Sequence, residues 1–170
     1  MTVEFEACER EQLPLWDFGW LDATRYALRG EHLPERPSEV LLDLLHSRVY
    51  RNSFAEAESF KRDPGPFHGP FRADGIEVND YQELSFDALC DDVRRSLADA
   101  SFSRPPSDDQ RESVETLLAR IRETALHCFR LRLDRADEGH RHDTWFVHTI
   151  FHEYVVLENH ALWLLVVGYD

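Results

Sequence analysis

From Phe129 onward the hydrophobic period changes, and this change constrains the fold more than any other feature. Phe129-Arg130-Leu131-Arg132-Leu133 alternates apolar with basic residues, the two-residue repeat of a half-buried strand. A charged stretch follows at 134–143. Residues 144–157 then read as a long strand with apolar side chains on both faces. Glu158-Asn159-His160 reads as a short turn and 162–167 as a last strand. Three consecutive strands joined in this way form an antiparallel meander. A strand that is apolar on both faces belongs in the middle of a sheet, covered on each side.

Upstream, the three-to-four-residue repeat of helices dominates. Val40, Leu41, Leu44, Leu45 and Val49 fall on one helical face, with Ser38 as the expected cap. Ser53 with Glu56 fits a capping box for a second helical stretch to about Lys61. Ser85 starts a helix carrying Phe86, Leu89, Cys90, Val93 and Leu97 on one face. Ser107 with Gln110 gives another capping box, ahead of a stripe of Val114, Leu117, Leu118, Ile121 and Ala125. Residues 2–8 alternate as a short strand, and 13–20 form an irregular aromatic segment. Residues 21–29 read as a short helix stopped by Gly30, and 76–80 as a short strand. The linker at 34–37 and the Pro/Gly loop at 63–70 interrupt the chain, the latter a boundary between halves of one domain spanning 1–170. The expected fold is α+β, with helices from the first two-thirds packed on a C-terminal antiparallel β-meander of about three to five strands.

At 170 residues the chain can bury roughly 70% of its unfolded surface, so it needs no disulfide or metal to fold. Cys8, Cys90 and Cys128 are odd in number and far apart, with no zinc spacing and no C-x-x-C, which fits three buried free thiols in a reducing cytoplasm. The first residues have neither the basic nor the apolar stretch of a signal peptide, and no window is apolar enough for a transmembrane helix. Arginine outnumbers lysine 18 to 1, a bias of GC-rich genomes that suggests a bacterial source. The net charge is −14, which argues against direct contact with nucleic acid or anionic membrane. Residues 74–115 hold 12 acids against 4 bases, more than half of that excess. The acidic block, with Asp87, Asp91, Asp92 and Asp99, is therefore the candidate surface for a protein partner with a basic face.

Chemistry-bearing motifs are sparse. There is no G-x-S-x-G and no phosphate-binding glycine loop, so no nucleotide or other cofactor is expected. His148 and His152, if on one strand, stand about 13 Å apart and cannot share a metal ion. The pair His140 and His142 has the right spacing for chelation but sits in a polar loop, so no metal is expected. His148, His152 and Tyr154 share one face of the central strand and, with Trp16 and Trp20, are the candidate lining of a ligand pocket between sheet and helices. Glu153 points to the opposite face. Arg130 and Arg132 can grip an anion or pair with acids across the sheet. The functional expectation is a non-catalytic, acidic, cytoplasmic binding protein that docks on another protein, in the manner of an inhibitor, immunity or regulatory protein. The alternative is a small-molecule-binding protein or enzyme using that His/Tyr/Trp pocket. Enzymatic activity and oligomeric state stay open.

Overall fold

The computed structural model describes residues 3–15, 18–29, 36–51, 53–54, 66–98, 104–133 and 150–169. Within them the chain runs β1 (Glu4–Pro14), β2 (Gly19–Arg29), α1 (Pro37–His46), β3 (Phe67–His68), β4 (Phe71–Arg72), β5 (Tyr81–Leu84), α2 (Phe86–Leu97), α3 (Asp108–Arg122), β6 (His127–Leu131), β7 (Ile150–Leu157) and β8 (Ala161–Tyr169). Six strands form one antiparallel sheet in the order β1-β2-β8-β7-β6-β5, and β3 and β4 pair in a small separate hairpin.

The C-terminal meander β6-β7-β8 is present, with β7 inside the sheet, but it is not the whole sheet. The expectation of helices packed on a C-terminal meander is corrected by the N-terminal hairpin, which opens the chain with two eleven-residue strands. The sheet is built from both ends of the sequence, and the helices lie in the middle. The cause is residues 21–29, which are strand β2 and not a helix. β2 buries Leu21 and Ala23 on one face and Tyr26 and Leu28 on the other, so no simple alternation shows. Its polar residues Asp22 and Thr24 are buried because they satisfy each other: Thr24 Oγ1 donates to Asp22 Oδ1 at 2.8 Å, and Arg10 Nε donates to Asp22 Oδ2 at 2.8 Å. Residues 76–80 are also corrected, since single 3₁₀ turns at Ala73–Gly75 and Val78–Asp80 lead into β5.

The helix caps show how local chemistry sets the other boundaries. Ser85 Oγ accepts from the Ala88 amide at 3.1 Å, and Ser107 with Gln110 closes a reciprocal capping box. α1 starts two residues earlier than expected, with Pro37 in the first turn and Arg36 rather than Ser38 at the N-cap. Both faces of the sheet are covered. On one face, α2 and α3 set Leu89, Val93, Leu117, Leu118 and Ile121 against Tyr154, Val156, Trp163 and Leu165. On the other, α1 sets Val40, Leu41, Leu44 and Leu45 against Val155, Leu157, Leu162, Leu164 and Val166. Each fully buried Leu or Val on these faces contributes about 1.5–3 kcal/mol. Among the described residues no helix is long and apolar enough to cross a membrane.

Candidate functional site

β7 sends its side chains alternately to the two faces, and each face holds one cluster of buried ionisable groups. On the α2/α3 face, Tyr154 donates to Asp92 Oδ2 at 2.8 Å. Arg130 pairs with the same oxygen, and Arg95 reaches Asp92 Oδ1 at 2.8 Å. Burial alone pushes the Asp92 carboxyl upward, but the Tyr154 hydroxyl, Arg130 and Arg95 together outweigh it and hold the group below its ordinary range. Burial, with Asp92 beside it, pushes the Tyr154 hydroxyl up. His152 sits next to this set, its Nδ1 at 3.3 Å from Arg130 Nη2. The buried Nε of Arg130 has no acceptor among the described residues.

On the α1 face, Glu153 is buried under three groups from distant parts of the chain. Its Oε2 meets His68 Nε2, and its Oε1 accepts from Tyr81 and, at 3.2 Å, from Tyr50. The two phenols touch each other at 2.9 Å. Burial first, and the Glu153 charge second, push both phenols well above their ordinary range. The His68 ring stacks on Tyr50 at 3.6 Å between centroids and takes Phe54 and Phe151 edge-on. Three local features bring His68 here. The β3–β4 hairpin turns through Gly69 at φ +51, where a Cβ would lie 2.4 Å from the Phe151 ring. The Gly69 amide donates to the Ser53 carbonyl at 2.9 Å. Ser53 and His68 are joined by an isolated bridge.

Ser53, His68 and Glu153 form a chain that resembles a hydrolytic relay, since Ser53 Oγ is 2.7 Å from His68 Nδ1. The hydrogen bonds assign another role. The Tyr50 carbonyl also lies 3.0 Å from His68 Nδ1, and a carbonyl can only accept, so that nitrogen carries a proton. Ser53 Oγ lies 2.5 Å from the same carbonyl and donates to it. His68 Nδ1 therefore cannot take the Ser53 proton, and the other ring nitrogen faces Glu153. This is a locked polar core that fastens the hairpin, residues 47–51 and residues 53–54 to the sheet.

The expected site residues separate on the structure. His152 and Tyr154 share a face and adjoin Asp92 and Arg130. Trp20 lies on the opposite face, stacked on Phe54 at 5.6 Å. His148, Trp16, Asp99 and the pair His140 and His142 lie outside the described residues. Asp87 is tied to Arg122 at 2.5 Å and Asp91 to Arg94 at 3.1 Å, while Asp92 is turned inward. Of the three cysteines expected to be buried, Cys8 is exposed on β1, while Cys90 and Cys128 are buried, which pushes both of these thiols up, Cys128 to about 12. Among the described residues no group of three His, Cys, Asp or Glu side chains could hold a metal ion. Sequence reasoning missed Glu153, His68, Tyr50 and Tyr81 as partners. The available signal was the carboxylate placed on a covered face of a central strand, which requires donors from elsewhere. Searches against family models, curated proteins and solved structures gave no match to this chain.

Proposed function

We propose that this is a non-catalytic acidic protein of the cytoplasm that docks on the basic surface of another protein, as an inhibitor or immunity-type protein does. One observation supports this most: many of the described arginines are tied to the chain's own carboxylates. Arg10, Arg25, Arg51, Arg94, Arg120, Arg122 and Arg130 each sit against a carboxylate of the same chain. The acids near the start of α3, Asp108, Asp109 and Glu112, are exposed and have no ion-pair partner among the described residues. The outward field is therefore acidic, which speeds association with a basic partner and weakens it in salt. The immobilised protein, challenged with a native lysate of its source cells, should retain a basic protein at low salt and release it at high salt. The D108N/D109N/E112Q protein should retain less. Retention of no basic protein, or retention indifferent to salt and to these substitutions, would overturn the reading.

A second reading, a small-molecule site on the α2/α3 face, is favoured by the Arg130 Nε hydrogen that lacks an acceptor beside half-buried His152. Native mass spectrometry of the purified protein tests it. A bound mass that disappears on denaturation and in the His152→Gln protein would support it, and a bare mass in both would sink it.

A further inference from the structure

β1 differs from every other long strand of the sheet. It is the terminal strand of the order β1-β2-β8-β7-β6-β5, it runs eleven residues, and none of its residues is buried. Its neighbour β2 is exposed only at Arg29. The outer edge of β1 therefore presents alternate N–H and C=O groups over most of its length, with no strand beyond it among the described residues.

The side chains on this edge are ordered by a bulge. Glu4 pairs with Arg29 and Glu6 with Ala27, then the register slips at Cys8, and Glu9 pairs with Arg25 and Glu11 with Ala23. A plain two-residue alternation would send Glu9 and Glu11 to the face opposite Glu4 and Glu6. The slip restores the phase, so all four glutamates stand on the α2/α3 face in one row, with Glu6 beside Arg29 and with Glu9 and Glu11 beside Arg120. The opposite face of β1 carries Phe5, Ala7, Arg10 and Gln12. A second copy of the chain adding at this edge in antiparallel fashion would set glutamate against glutamate, which cross-strand pairing disfavours. A strand with lysine or arginine at alternate positions would meet the row with opposite charge.

We propose that β1 is a docking edge for an extended basic segment of a partner protein, which adds to the sheet as a seventh strand with its basic side chains over the glutamate row. This deepens the reading of an acidic docking protein and rests on it. Main-chain hydrogen bonds supply the strand addition, and the glutamates choose the partner.

The test uses the full chain and a synthetic peptide of alternating lysine and valine, matched to β1 in length. Two isomers carry N-methyl groups, one on the lysine amides and one on the valine amides. Those two sets point to opposite edges of an extended strand, so only one can face β1. The parent peptide should bind and slow hydrogen exchange of the β1 amides. One methylated isomer should bind more weakly than the other by about tenfold or more, because it loses several main-chain bonds while its charge is unchanged. The E4Q protein should bind the parent peptide more weakly, and it leaves Glu6, Glu9 and Glu11 to their contacts with Arg29 and Arg120. Equal binding of all three peptides, or protection confined to α3, would overturn the docking edge while leaving the basic-partner reading standing. Failure of every basic peptide and every basic protein to bind would overturn both.

Discussion

Glu153 is the residue on which most of the α1 face depends. It collects donors from the segment after α1, from the β3–β4 hairpin and from β5, so its loss is felt in three places. An alanine there leaves the His68 Nε2 and two buried phenols without their shared partner. Glu153→Ala should therefore lower the unfolding free energy by about 3–5 kcal/mol, read from denaturant midpoints at an unchanged m-value. On the other face, Asp92 governs acid sensitivity. Its carboxyl titrates below its ordinary value of 3.8, so it stabilises the fold above about pH 4, and that contribution fades as the pH drops through the folded-state value. Glu158, also held low against its burial by Arg25, Thr124 and Trp163, acts in the same direction and the same acidic window. The melting temperature should fall as the pH is taken below 4, and Asp92→Asn should start lower and fall less steeply. Residue chemistry of this kind was half legible. The sequence placed Glu153 opposite His152 and Tyr154, as the structure does. It could not name Tyr50, His68 and Tyr81 as partners, because long-range proximity has no local pattern, and His68 lay in a Pro/Gly stretch that reads as loop.

Elements with strong local signals were legible, and elements set by tertiary contact were not. α2 and α3 begin at the serines that cap them, and their apolar stripes are the faces that pack. Ser107→Ala should cost about 1 kcal/mol, the value of a lost cap, with the Gln110 side chain left without its reciprocal partner. β2 was lost to helix because Ala, Leu and Arg favour helix while both of its faces are buried, which removes the strand signature. Its burial depends on close approach at one point, where the Trp20 ring crosses Gly168 of β8 and a Cβ would fall 2.3 Å from it. Gly168→Ala should lower stability by about 1–3 kcal/mol and shift the Trp20 fluorescence, since the ring must move off the strand.

For the whole molecule, charge and topology set the behaviour. With net charge −14, self-repulsion opposes the compact state, so moderate salt should raise the melting temperature even as it weakens capture of a basic partner. A scan of melting temperature and partner retention across the same salt series checks both directions at once.

The pairing of β2 with β8 joins Gly19–Ala27 to Ala161–Tyr169. During synthesis, β2 has no neighbour on its β8 side until β8 has been made. At about 5–20 residues per second the wait is roughly seven to thirty seconds, with Leu21, Ala23, Tyr26 and Leu28 bare to the cell. The sheet is therefore completed only after β8 has left the ribosome. Nascent chains arrested before β8 should be cut readily in β2 by protease, and chains released after it should resist.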